Sequence, residues 1–255
     1  MKTLLHVLWR GLALVLVTAL ALQVYFALRV AMMTVVDPAS TTFQRSEASR
    51  LLRTQGQVLW SQTWRDDARI GVALKRAVIA SEDAGFVDHS GVEWDAIEKA
   101  WERNLRAKAD AERALKTKRG ASAAAPATNA RPAKLVGGST ISQQLAKNLY
   151  LHGERNVLRK GQEFVITLWL EAFLDKRRIL EIYLNHVEWG EGVFGAQAAA
   201  RHYHRVDAER LSAWQAAQLA VMLPAPKRFE KRPGSPYVLG RAETIVARMP
   251  GVQLP

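Results

Sequence analysis

Apolar and polar positions along the chain fall into three regimes. The first is residues 11–28, GLALVLVTALALQVYFAL, 18 consecutive positions without a charge, bracketed by Arg10 and Arg29. A run of that length predicts a membrane-spanning helix. The core of a cleaved signal peptide is the alternative, but the run is long for one and no small-x-small cleavage site follows it. Lys2 and Arg10 precede the span and Arg29 follows closely, so flanking charge orients it weakly. The short N-terminal arm favours an N-terminus inside and the remaining chain outside the cytoplasmic membrane.

The second regime is helical spacing. After a polar connector at Asp37-Pro38, helices are predicted over about 43–52 and over 70–80, IGVALKRAVIA. In VEWDAIEKAWERNL, Val92, Trp94, Ile97 and Trp101 recur at helical spacing, as core residues would. Thr140 and Gln143 stand in capping-box spacing at the start of another helix. FVITLWLEAFL, entered from Glu163, is apolar almost all round and is expected to be buried. DKRRILEIYLNHVEW follows as a helix ending near Gly190, and then come short helices over 195–203, 208–222 and 237–248, with Pro224 and Pro226 stopping the second. Almost no segment alternates as a strand does, so the fold class is mainly α.

The third regime is residues 103–134, with nine Lys or Arg against two acids, ending in the low-complexity GASAAAPATNARPA. Such a segment lacks the apolar surface to order itself, and reads as a mobile basic insertion between two patterned regions. The membrane run therefore divides the chain into an anchor with a short cytoplasmic stub, 1–36, and one domain, 37–255, which carries this insertion.

Composition narrows the partners. The formal charge of +12 calls for an anion: nucleic acid, an anionic bilayer or a phosphate-bearing substrate. The insertion alone carries an excess of seven, and an adjacent anionic membrane is a sufficient partner for it. Nucleic acid ranks last, because a binder of that kind calls for a basic patterned face and not a membrane span. With no cysteine, disulfides, thiolate catalysis and thiolate metal sites are excluded.

Candidate chemistry centres on AVIASEDAGFVDHSG, residues 77–91, where an apolar run delivers Glu82 and Asp83 ahead of Phe86 and His89. Desolvation raises a carboxylate's pKa and cations lower it, so the pair is either tuned for acid/base work or caps a surface turn. Downstream, Gln144, Lys147 and Asn148 share a helix face, either as a site or as a solvated surface. The Gly137-Gly138 turn before that helix is expected to present free backbone N–H groups to an anion. Arg155, Arg159 and Lys160 then precede Glu163, as an anion site or as a structural ion pair.

Together SEDAGFVDHSG, GGSTISQQLAKN, RKGQE and KRRILEIYLNHVEWGEGVFG resemble, in order and spacing, the four motifs of the family-51 peptidoglycan glycosyltransferases. The resemblance runs from about Phe43 to Met249, including LPAPKRF at 223–229, and is nearest to the monofunctional members. The Ser-x-x-Lys and Lys-Thr-Gly motifs of the bifunctional transpeptidases do not occur in these 255 residues. The resemblance implies a lysozyme-like α-helical glycosyltransferase domain with an N-terminal transmembrane helix, on the inner membrane with the domain on the periplasmic side. It implies polymerisation of lipid II onto a lipid-linked glycan chain, with release of undecaprenyl pyrophosphate, and association with other cell wall synthases. Glu82 matches the family's general base and Glu163 its second essential carboxylate. Asp83, Phe86, His89, Thr140, Gln144, Lys147, Asn148, Arg155, Arg159 and Lys160 fall on substrate-binding motif positions. A loosely held Mg²⁺ or Mn²⁺ on the pyrophosphate, approached by Glu163, is also implied. Three departures stand out: Ser142 where Thr is commoner, Gln162 where some relatives carry Lys, and HYHR at 202–205 in place of a Tyr-Phe-Gly ending. A lysozyme-type hydrolase would use the same paired carboxylates but has no pyrophosphate for the cations to meet. A catalytically silent lipid II-binding scaffold would have no use for both carboxylates.

Overall fold

A computed structural model describes residues 2–94, 98, 102, 105–106, 139–151 and 156–255. The apolar run becomes α1, Lys2–Met32, a continuous helix whose outer surface from Val7 to Met32 is exposed and apolar. It is long and apolar enough to cross a membrane. One face of its C-terminal half does not face outward: Phe26 and Val30, one turn apart, and Met33 just past the helix end are buried in the same core as the rest of the chain.

The connector is docked. Arg178 donates to the Met33 carbonyl at 2.8 Å and pairs with Asp37 at 2.6 Å, so the chain leaves α1 in a fixed direction. Helix α2, Thr42–Gln55, starts in a capping box between Thr41 and Gln44 and ends on Gly56 in the left-handed conformation. Helix α3, Val72–Glu82, buries Leu74, Ala77, Val78 and Ile79 and delivers Glu82 as its last residue.

The lower half of the chain builds the frame around α3. Helix α4, Ile141–Tyr150, packs between α5, Val157–Phe173, and α6, Lys176–His186. Helix α7, Gly195–His204, leads to α8, Ala213–Met222, which is capped by Ser212 and wedged between α3 and the long α10, Pro236–Arg248. The short α9, Pro226–Phe229, joins the last two. Fully buried Tyr183, Trp189, Phe86 and Phe194 fill the centre, with the Trp189 indole donating to the Leu219 carbonyl at 2.9 Å.

Four expectations need correction. A small sheet exists: β1, Ser61–Gln62, runs parallel to β3, Val193–Phe194, and β2, Glu188–Gly190, runs antiparallel to β3. Its strands are two or three residues long, too short to show alternation. For the same reason α6 ends at His186 instead of near Gly190: Val187 is extended, and the next three residues join the sheet. Helix α5 is not buried all round, since Phe164, Leu168 and Phe173 are exposed and Val157 and Leu158 are each 87% exposed. Trp94 is 67% exposed and stands near Phe164 with ring centroids 6.5 Å apart, outside the core. Helical periodicity marks the apolar face of an element, but an apolar face is apolar against lipid as well as against protein. Val92 is buried as expected, whereas Ile97, Trp101 and residues 107–134 of the basic insertion lie outside the described residues.

Candidate active site

Glu82 is presented by the end of α3 and is held by neutral donors. Gln144 Nε2 donates to its Oε2 at 3.0 Å, and the Ser81 hydroxyl approaches Oε1 at 3.3 Å. The Gln144 amide is oriented from behind, because the buried Tyr183 hydroxyl donates to Gln144 Oε1 at 3.0 Å, leaving the NH₂ to face the carboxylate. Desolvation pushes the Glu82 pKa up, and the negative charge of Asp83 adds to this. The bonds from Gln144 and Ser81, and the more distant positive charge of Arg241 on α10, work against it.

Asp83 has a different task. Its Oδ1 meets His89 Nε2 at 2.8 Å and its Oδ2 accepts the Ile141 N–H at 2.9 Å. The Gly91 N–H donates to His89 Nδ1 at 3.1 Å, which fixes the tautomer with the proton on Nε2, toward Asp83. The N-terminus of α4 therefore does have an anion, but it is the chain's own: Asp83 takes the Ile141 N–H and the Thr140 hydroxyl takes that of Gln143 at 3.2 Å. The Ile141 and Gln143 N–H groups are thus spent within the chain, the first of them on fastening two motifs together. Gly137 and Gly138 lie outside the described residues.

Thr140 closes the same joint from the other side, its hydroxyl donating to the Gly91 carbonyl at 2.7 Å. Gly91 has φ +85°, and a Cβ there would stand 2.7 Å from Thr167 Cγ2 and 2.9 Å from Glu171 Cγ on α5, so only glycine fits. Phe86 is fully buried, with the Lys176 ammonium 4.7 Å over its ring. Lys176 also pairs with Glu171 at 2.8 Å, which accepts from Ser142 at 2.5 Å. The hydroxyl retained at position 142 is thus used structurally.

The second carboxylate lies on the first turns of α5. Glu163 is 3% exposed, accepting from Arg159 Nη1 at 2.9 Å on one oxygen and from Lys160 Nζ on the other. The helix supplies this pattern by itself, because residues at i−4 and i−3 lie over position i. Arg159 is largely buried, whereas half of the Lys160 side chain reaches solvent. On α4 the shared face is divided: Gln144 is half-buried against Glu82, Lys147 is exposed and Asn148 is buried. Arg155 lies outside the described residues.

Sequence reading did not single out Tyr183, Ser81 or Arg241. Tyr183 was visible only as one apolar position in LEIYLN, and nothing in its spacing marks the hydroxyl as the group that turns Gln144. A metal does not find a prepared site: both Glu163 oxygens are engaged by cations, and among the described residues there is no cluster of three His, Asp or Glu side chains able to hold one.

The site thus joins a carboxylate of raised pKa to a cation cluster around a second carboxylate, in a chain that also carries a membrane-length helix. Comparison with known proteins places the chain in a family. The model of the family described as Transglycosylase matches residues 49–125 and 112–250, two stretches that overlap inside the basic insertion. A biosynthetic peptidoglycan transglycosylase of Burkholderia pseudomallei (strain K96243) is 50% identical over 236 residues, 92% of this chain and 83% of the relative. Proteins of the same description from Paraburkholderia xenovorans (strain LB400) and Herminiimonas arsenicoxydans are each 45% identical, covering 95% and 92% of this chain and 91% and 92% of their own lengths. The chain belongs to the transglycosylase family, and its mainly helical domain is of the lysozyme-like type.

Proposed function

We propose that the protein is a peptidoglycan glycosyltransferase that polymerises lipid II, with Glu82 as general base. The observation that carries this reading is the Glu82 carboxylate: desolvated, held on one oxygen by an oriented amide, and weakly bonded on the other. In the reaction, Glu82 takes the proton from the 4-hydroxyl of a GlcNAc as that oxygen bonds to C1 of the MurNAc at the end of the growing chain. The C1–oxygen bond to the pyrophosphate breaks, and undecaprenyl pyrophosphate leaves as an anion. Attack from the face opposite the leaving group inverts C1, so an α-linked donor gives a β-1,4 glycan. A positioned base contributes about 10²–10⁴ in rate.

Arg159 and Lys160, together with Lys147 and Arg155, offset the charge that grows on the pyrophosphate. Glu163 orients Arg159 and Lys160 in this reading and does not bind metal itself, since its oxygens are already shared between them. A divalent cation enters only as a counter-ion carried on the substrate's phosphates. Asp83, His89 and Thr140 hold the first two motifs together, while Phe86 and Asn148 act from the buried side.

Residues 1–36 serve as stub and anchor and 37–255 as the catalytic domain, placed on the periplasmic face of the inner membrane. There donor and acceptor share a surface, which raises their effective concentration. The exposed apolar residues of α5 and Trp94 fit that surface, as does a basic insertion beside anionic lipid, and other cell wall synthases would be met in the same plane. The test is incubation of the full-length protein with labelled lipid II and Mg²⁺, products being separated by size. Polymer from the wild type, and none from Glu82→Gln with lipid II binding retained, is expected; polymerisation by Glu82→Gln at near the wild-type rate overturns the assignment.

A further inference from the structure

One polar residue interrupts the membrane helix. Gln23 lies within the uncharged run, six residues before Arg29, or about 9 Å deeper along the helix axis. Its side chain is not left to the lipid. Gln23 Nε2 donates to Gln162 Oε1 at 2.9 Å, and Gln162 Nε2 donates back to Gln23 Oε1 at 3.2 Å. A reciprocal amide pair satisfies a donor and an acceptor on each side, and in hydrocarbon neither partner has water to fall back on.

The location of Gln162 gives the pair its significance. It follows Arg159 and Lys160 and immediately precedes Glu163, on the turns of α5 that hold the cation cluster. Further contacts keep α1 from swinging about the pair. The Phe26 ring meets Tyr150, at the end of α4, edge-on at 5.1 Å, and Arg178 holds the Met33 carbonyl. Val157 and Leu158, on the first turn of α5, point outward with apolar side chains.

We propose that Gln23 is a positioning residue: through Gln162 it sets the bilayer depth of the first turns of α5, so that Arg159 and Lys160 meet the donor's phosphates at headgroup level. Its use in catalysis rests on the function proposed above. The depth itself does not. Val157 and Leu158 then dip below the phosphate plane, while the long Lys160 side chain reaches back to it.

The chain has no cysteine, so Leu158→Cys gives a unique site for a nitroxide label in the full-length protein. The label's depth in nanodiscs of phosphatidylethanolamine and phosphatidylglycerol is read from its collisions with oxygen and with a nickel chelate. It should lie within the hydrocarbon, and Gln23→Leu should move it toward water. In the same nanodiscs, unlabelled Gln23→Leu should raise KM for lipid II about 3- to 10-fold, the worth of an interhelical hydrogen bond, with kcat within about twofold. Gln162→Leu should match it, the double variant should be no worse than either single one, and Gln23→Asn should recover part of the loss. In detergent with a short-chain soluble donor, Gln23→Leu should match the wild type.

An unmoved label with unchanged KM overturns the proposal. So does equal slowing in detergent and bilayer together with a lowered Tm, which marks the pair as packing alone. If the wild type makes no glycan in either medium, the function assigned above fails, and the label's response to Gln23→Leu still decides whether the pair sets the depth.

Discussion

Glu82 and Glu163 are both carboxylates on helices of one domain, and their surroundings are opposite. Glu82 is bonded to a neutral amide and a hydroxyl with no cation in contact, so burial outweighs the bonds that oppose it and its pKa rises. Glu163 is more deeply buried but has a cation on each oxygen. A carboxylate short of positive partners gains from taking a proton. One that is saturated with them can only hold those partners in place. The assignment of base and organiser therefore comes from the partners, and burial alone does not supply it.

The strongest test of this contrast is Glu82→Gln. It should lower kcat by about 10²–10⁴, the range of a lost general base, while thermal unfolding stays near that of the wild type because the new amide still meets Gln144. The acid limb of kcat/KM should lie above the ordinary carboxylate range, since the raised pKa keeps the base protonated to higher pH. Gln144→Leu removes a bond that holds this pKa down, and should move the limb to still higher pH. A limb at an ordinary carboxylate pKa in both proteins would break the contrast.

Glu163→Gln is expected to act through binding. Without the carboxylate, Arg159 and Lys160 lose their common partner, and the hydrogen bonds forgone are worth about 1.5–3 kcal/mol, less for the half-exposed Lys160. KM for lipid II should rise by about tenfold or more, with the acid limb of the pH profile unmoved. A fall in kcat alone, with that limb displaced, would place Glu163 in the proton chemistry instead.

Much of this arrangement was legible in the sequence, and what was not has a common cause. The helices that frame the site carry local signals: capping at Thr140, Pro stops, and the i−4 and i−3 cations that Glu163 collects on its own helix. The four motifs named Glu82 and its neighbours. Spacing along the chain could not say that Asp83 bridges to Ile141, 58 residues away, and fills the helix N-terminus expected to await a ligand. Nor could it say that Tyr183 turns the Gln144 amide, or that Gln162 had been matched to Gln23. Each is a long-range pairing of common side chains, whose types are uninformative until the fold brings them together. The exposed faces of α5 failed for another reason, because a hydrophobicity pattern does not distinguish lipid from protein interior.

The joint between motifs gives a smaller test. Thr140→Ala removes the cap of α4 and the bond to Gly91, and should cost about 1–2 kcal/mol in chemical denaturation. Because Gln144 rides on this helix, kcat should fall more than KM changes, whereas Thr140→Ser should restore most of both. Equal effects on the two carboxylate sites would mean that α4 and α5 move as one unit.

Glu188 on β2 separates desolvation from function. It too is buried, and its pKa is raised to about 7 by desolvation and by Glu47 and Glu230, with Lys227 working against them. Its Oε1 has no hydrogen bond, and the Lys227 ammonium is 3.4 Å away. It has the raised pKa of a general base without an oriented amide beside it, and we assign it no step. Its effect belongs to stability. Between the ordinary value of 4.5 and about 7 the folded state holds a proton that the unfolded chain has released, so the stability contributed by Glu188 falls as pH rises through that window. Glu188→Gln should flatten the decline of Tm over those pH values, raise Tm slightly at neutral pH, and leave the acid limb of kcat/KM where Glu82 puts it. If Glu188→Gln moved that limb, a raised pKa would suffice to identify a catalytic group in this fold, and the contrast between Glu82 and Glu163 would lose its basis in their partners.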